Sequence, residues 1–418
     1  MRVLWFSCTP SCYDVKINGG WVEALERIVR QYLPDIELGV VFEHNDCKFK
    51  EIKNGVTYYP LNVKWSLKER FFNKFTPTAK KSFLKLKPLY LRAVEDFKPD
   101  IIQCFGTELW HYSLLQKEIS IPFVIHIMGF WHAIQMADDT FTFNKYNTVK
   151  SWNFIKNLRL NKNLLDSHEH LALERMSMEC CRYYMGRTTW DKDIVNYCSD
   201  KSKYYYCPEA IRASIFNSSL KWKYIEDETI RLITISNAGK LKGNEIILKT
   251  AWILKNHFNK KVDWKYTTTE ERILKYENKT GIKCKEVGIN LIGRLTSSEI
   301  PNALCSAQIF VHPSIIENSS NAVCEAQLLG VPIIASNVGG MPQIIEHGVT
   351  GLLYPYNEPY ALAVQILNLH NNEVTLNELS NNSYKVAHQR HDPETISRIL
   401  NDIYCDIIDD YNNVLCNC

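Results

Sequence analysis

The feature that most constrains this chain is a rhythm: short β-rich runs bounded by turn residues alternate with longer helical patterns almost from end to end. In the first half, strands are expected at 2–7 (RVLWFS), 37–43 (ELGVVFE), 100–106 (DIIQCFG), 123–128 (FVIHIM) and 183–187 (YYMGR). In the second they are expected at 231–236, 262–267, 289–294, 309–314, 332–337 and 351–355. Strands separated by helical crossovers pair in parallel and bury both faces under helices, so each half holds enough strands for one doubly wound sheet. The length of 418 residues agrees, being too great for one ordinary core and right for two of roughly 200 each. The expected architecture is α/β: two Rossmann-like doubly wound parallel-sheet domains, residues 1–207 and 229–383. A polar, turn-rich linker joins them over 208–228, and a helical segment at 384–418 ends the chain, with a return to the first domain as one placement. No internal repeat of fixed period and no low-complexity tract interrupts this plan.

Composition narrows the partners. Apolar residues make up 45% and charged residues 23%, the usage of a globular chain, and a net charge of +3 gives no electrostatic footprint for nucleic acid. The 14 cysteines are scattered with no Cys-x-x-Cys pair, which points to reduced thiols in a reducing compartment and not to disulfides or a metal cage. The opening MRVLWFSCTP is too short in its apolar part for a signal peptide, and no window reaches the ~20 apolar residues of a spanning helix. A cytoplasmic location is expected.

The chemistry concentrates in HPSIIENSSNAVCEAQLLGVPIIAS, residues 312–336. A strand breaks at Pro313, passes through Glu317 and Asn318, and gives way to a helix whose N-cap candidates are Asn318, Ser319 and Ser320. That helix runs through AVCEAQLL and stops at Gly330, with Pro332 beyond it. Two carboxylates in so apolar a run, Glu317 at the strand's carboxyl end and Glu325 about two turns into the helix, each need a partner to offset the cost of burial. Eight residues apart, they would differ by about 80° around a helix axis, close enough to face one ligand at different depths. The free amides near Asn318 to Asn321 offer an anion site.

This run resembles the retaining glycosyltransferases of the two-domain GT-B fold, specifically family 4, the glycosyl transferases group 1. The resemblance rests on Glu317 and Glu325 with seven residues between them, then Gly330-Val331-Pro332, Gly339-Gly340 and the close GVTGLLYP. It implies two domains facing across a cleft, and transfer of a sugar from a nucleoside diphosphate donor to an acceptor hydroxyl with retention of configuration. It implies no divalent metal or other cofactor. By the resemblance, Glu325 accepts hydrogen bonds from the donor ribose and Glu317 lies beside the donor sugar. Groups around Asn318, Ser319, Ser320 and Asn321 face the sugar and diphosphate. Lys242, before Gly243, matches the family's phosphate-binding Lys; the family's Arg is missing, with Ser236 or Asn237 where it is expected. In the first half, Gly19 and Gly20 resemble the Gly-rich loop between donor phosphate and acceptor, a pair of plain turn glycines being the alternative. His126 stands where the family carries a His that contacts the donor sugar, and a structural His in an apolar strand is the alternative. Glu209 and Arg212 are expected to pair in the linker.

Other signals are weaker. Asp191-Lys192-Asp193 has the form of a metal-binding Asp-x-Asp, but it follows GRTTW at a helix start, where acidic residues serve the helix dipole. His168 and His170 are two apart and diverge on a helix. The stretch 64–92 has nine basic residues to one acidic, interleaved with Trp65, Phe71, Phe72, Phe75, Phe83 and Tyr90. It reads either as a segment for an anionic membrane surface or as a solvated basic helix. The functional expectation is a glycosyltransferase acting on a lipid-linked or growing polysaccharide glycan. A nucleotide-sugar epimerase and a non-catalytic nucleotide-sugar-binding subunit are the alternatives.

Overall fold

Fourteen strands form two sheets in the computed structural model, which describes residues 1–14, 20–45, 48–107, 111–137, 154–199, 201–236, 238–370 and 372–416. By contacts the chain divides into two units: Met1–Ala210 with Pro393–Cys418, and Ile211–Asp392.

The first unit is built on β1 (Arg2–Phe6), β2 (Glu37–Glu43), β3 (Glu51–Lys53), β4 (Val56–Leu61), β5 (Ile101–Phe105), β6 (Phe123–His126), β7 (Tyr183–Gly186) and β8 (Lys203–Tyr206). They stand in the order β3-β4-β2-β1-β5-β6-β7-β8, parallel except for the β3–β4 hairpin. Five of these strands were expected; β3, β4 and β8 were not. The missed hairpin turns on Asn54-Gly55, both at positive φ (51° and 82°), the combination a tight hairpin requires. The central strands are apolar on both faces: Val3 to Phe6 and Ile101, Ile102, Val124 and Ile125 are fully buried, as a sheet covered on both sides demands.

The second unit contains β9 (Ile230–Thr234), β10 (Val262–Tyr266), β11 (Ile289–Leu291), β12 (Ile309–His312), β13 (Ile333–Ser336) and β14 (Leu352–Tyr354), in the order β11-β10-β9-β12-β13-β14, all parallel. All six were expected. The order reverses direction between β9 and β12, which pair through Leu232 with Ile309 and Ile233 with Phe310. Ligands of open α/β sheets bind beyond the carboxyl ends of the strands at such a reversal, so the loops after β9 and β12 are where chemistry is expected.

The unit boundary falls between Ala210 and Ile211, inside the expected linker, but the segment that follows is not a free connection. Ile215 is buried in the second core, Trp222 N donates to Leu329 O at 2.8 Å, and the Trp222 indole N–H donates to Ala307 O at 2.8 Å. The C-terminal region splits: helix Glu373–Arg390 belongs to the second unit and helix Pro393–Cys416 to the first. Tyr404 anchors the latter, accepting from the Trp5 indole at 3.1 Å and donating to Gln103, with Ile403 and Ile407 buried beside it.

Candidate functional site

The loop after β9 carries Lys242 and leads into helix Asn244–Trp252; the loop after β12 carries Glu317 and leads into helix Asn321–Leu328. Backbone contacts fasten the two together. Ile315 N donates to Leu241 O at 2.8 Å, and Gly243 (φ 66°) leaves no room for a side chain, since a Cβ there would lie 1.8 Å from the carbonyl oxygen of Pro313. The turn itself is held by Asn244, whose side-chain amide donates to Gly239 O at 2.8 Å while its oxygen accepts from the Tyr266 hydroxyl at 2.6 Å.

On this frame Lys242 Nζ reaches Oε2 of Glu317 at 2.7 Å. Two more groups converge on the same oxygen: His312 Nε2 at 3.2 Å and Ser314 Oγ at 3.2 Å. Burial alone would raise the Glu317 carboxyl, but the Lys242 charge and the His312 hydrogen bond outweigh it and hold the group well below the usual carboxylate range. Glu317 is therefore anionic at neutral pH. His312 is almost fully buried, and burial pushes its pKa down against the pull of Glu317. Among the described residues its Nδ1 has no hydrogen-bond partner, which agrees with a neutral ring donating through Nε2. His312 and Ser314 were not singled out from the sequence, though both lie in the quoted HPS.

Asn318, Ser319 and Ser320 are buried around the start of helix Asn321–Leu328. Ser320 is its N-cap in extended conformation, and its side chain makes no capping hydrogen bond. Without a hydrogen bond from the Ser320 side chain the first-turn amides keep their partial positive charge, and among the described residues the buried Asn321 Oδ1 has no partner.

Glu325, two turns along, is 3% exposed. Its partner is Arg212, whose Nε lies 2.8 Å from Oε1. This corrects the expected Glu209–Arg212 pair: helix Ala213–Phe216 packs against helix Asn321–Leu328 and turns Arg212 toward Glu325. Burial raises the Glu325 carboxyl and Arg212 offsets part of that rise.

The candidates in the first unit have other surroundings. Gly20 is the first residue of helix Gly20–Tyr32, at φ 60° with open space where a side chain would stand; Gly19 lies outside the described residues. His126 ends β6 with no exposure, its Nδ1 3.1 Å from the Gln103 amide and its ring between Trp21 and Phe105. Burial, with Arg187 adding to it, pushes this ring well below the ordinary histidine range, and among the described residues Nε2 has no partner. Asp191 is buried in a capping box with Thr188 at the start of helix Thr189–Cys198, which accounts for that acidic residue without a metal.

Residues 231–372 match the family of glycosyl transferases group 1. The amylovoran biosynthesis glycosyltransferase AmsK of Erwinia amylovora is 28% identical over 163 residues, 37% of this chain and 39% of that protein. The chain spans under two thirds of the length of the curated relatives it first matches. Among solved structures, sucrose-phosphate synthase from Thermosynechococcus elongatus is similar over 98% of this chain and 100% of its own (TM-score 0.72, 13% identity). Anabaena Alr3699/HepE in complex with UDP is similar over 97% and 100% (TM-score 0.64, 15% identity). These likenesses show the GT-B glycosyltransferase fold, and the matched region holds Lys242, Glu317 and Glu325 together.

Proposed function

We propose that this chain is a retaining glycosyltransferase of family 4 that moves a sugar from a nucleoside diphosphate-sugar to an acceptor hydroxyl of a lipid-linked or growing polysaccharide glycan. The observation that carries the reading is the Lys242–Glu317 pair at 2.7 Å, set beside the uncapped start of helix Asn321–Leu328 at the reversal point of the sheet. Departure of a nucleoside diphosphate leaves negative charge on its phosphates while the sugar becomes oxocarbenium-like. A lysine and free helix amides fixed in advance stabilise that charge without reorganising. Glu317, anionic and turned by three donors on Oε2, presents Oε1 to the sugar. Glu325 takes the ribose hydroxyls. The phosphate charge is met by Lys242 and the helix N-terminus, with no part for a divalent metal. The UDP complex of the similar HepE and the polysaccharide named for AmsK support the donor and acceptor classes.

The test is donor turnover with and without a glycan acceptor, following nucleotide release and the anomeric configuration of the product. Acceptor-dependent release with the donor's anomeric form retained supports the reading. Acceptor-free isomerisation of the donor, or binding without turnover, refutes it.

A surface in the first unit supports a place for this activity at the inner face of a membrane. Helix Leu67–Phe72 buries none of its residues, and Leu67 (84% exposed), Phe71 and Phe72 stand open among the exposed Lys64, Lys68, Arg70 and Lys74. Apolar side chains ringed by cations are the composition of a segment that lies in an anionic lipid interface. No helix among the described residues is long and apolar enough to cross a membrane.

A further inference from the structure

Glu325 is an unusually sparse site for a buried carboxylate. Two oxygens offer about four acceptor positions, and an interior carboxylate ordinarily fills most of them. Among the described residues Glu325 has one charged partner, Arg212 on Oε1, and no amide or hydroxyl donates to Oε2. The Arg212 side chain is itself mostly buried, 23% exposed, and it is not a chance visitor from a loose connection. It caps helix Ala213–Phe216, which packs on helix Asn321–Leu328, with Ile215 inserted in the core and Trp222 bonded to Leu329 and Ala307. The segment that follows the unit boundary is thus fixed along the helix that carries Glu325, and its first basic side chain is delivered to that carboxylate.

We infer that Arg212 is the positioning residue of the ribose site: its grip on Oε1 of Glu325 holds the carboxylate in place and leaves Oε2 as the acceptor for a vicinal ribose diol. The inference rests on the reading of Glu325 as the ribose-binding residue. A buried anion that loses its only cation either takes up a proton or turns away, and in both cases it ceases to be a directed double acceptor. Arg212 then sets the preference of the site for ribonucleotides over nucleotides lacking the diol, although it need not touch the nucleotide itself.

The test uses the full chain and calorimetric titration with UDP, GDP and ADP and with the 2′,3′-dideoxy form of each. For the ribonucleotide that binds best, wild type is expected to prefer the ribo form by at least ~10-fold, since a site built for hydroxyls is left with unpaired groups when they are missing. Arg212→Met should bring the two forms within about threefold of each other, and Arg212→Lys should recover part of the preference. Arg212→Met/Glu325→Gln, which removes the unpaired charge, should melt as wild type does and still fail to discriminate, separating site loss from misfolding. A wild type that binds both forms alike, or binds none of the three, overturns the ribose reading of Glu325. A wild type that discriminates while Arg212→Met discriminates equally well overturns the role of Arg212 alone.

Discussion

The carbonyl oxygen of Glu317 occupies the space where a side chain on Gly339 would begin: a Cβ at residue 339 would lie 2.0 Å from it, and Gly340 N donates to that same oxygen at 3.0 Å. The glycine turn after β13 is therefore a mould for the backbone that aims Glu317 at Lys242. Its positive φ of 52° adds to the requirement for glycine.

Gly339→Ala should destabilise the second unit by about 1–3 kcal/mol through strain and displacement of the 313–317 loop. Thermal unfolding should register a lower transition, and transfer activity should fall by more than the loss of folded protein explains. An alanine variant with wild-type melting and rate would show that the turn does not constrain Glu317.

Lys242→Ala removes the cation set for the departing diphosphate, so kcat should drop by about 10²–10³ with a smaller change in donor KM. Because Lys242 and Glu317 are in contact, the double variant with Glu317→Gln should cost less than the sum of the two single changes in free energy. Steady-state kinetics of the four proteins checks both statements, and additive losses would mean that the pair does not act as a unit.

Acidification should destabilise the chain in two stages. His312 and His126 have folded pKa values held down by burial, so the unfolded chain binds more protons, and stability declines as pH falls below about 6.5. Glu317, also held low when folded, contributes stability that is complete above about 4.3 and is lost as pH falls below that toward its folded value. Melting temperature against pH should therefore slope downward from pH 7 to 5, and His312→Gln should flatten that slope without abolishing it, His126 remaining. An unchanged slope in the variant would deny His312 its neutral, buried state.

The parts of this account that were legible in the sequence are those whose signal is local. The strands of the second sheet are short β-rich runs between turn residues, and the spacing of Glu317, Glu325, Gly330 and Gly339 lies within one stretch of chain. The hairpin at Asn54-Gly55 is equally local, but its second strand, VTYYPL, carries Pro60, a residue that usually argues against a strand paired on both sides. The grip of Arg212 on Glu325 was not legible. It joins residues far apart in sequence through the packing of a four-residue helix, and no periodicity marks it. His126 was legible in part: its place at a strand end is local, whereas its burial between Trp21 and Phe105 depends on elements from elsewhere in the first unit.

Substituting Leu67, Phe71 and Phe72 together by serine should leave the fold unchanged, since helix Leu67–Phe72 buries nothing, while sharply reducing co-sedimentation with vesicles rich in anionic lipid. Neutral vesicles should bind neither protein well. Equal binding of wild type to neutral and anionic vesicles would remove the electrostatic part of the membrane reading.

The central claim is that a nucleoside diphosphate-sugar is held where the loops after β9 and β12 meet. A crystal structure of the chain with a bound, non-transferable donor tests it most directly. The account predicts the diphosphate within hydrogen-bond distance of Lys242 Nζ and the first-turn amides at Asn321, with the ribose on Glu325 and the sugar beside Oε1 of Glu317. Donor density elsewhere in the molecule, with the Lys242–Glu317 pair intact and unvisited, would contradict it.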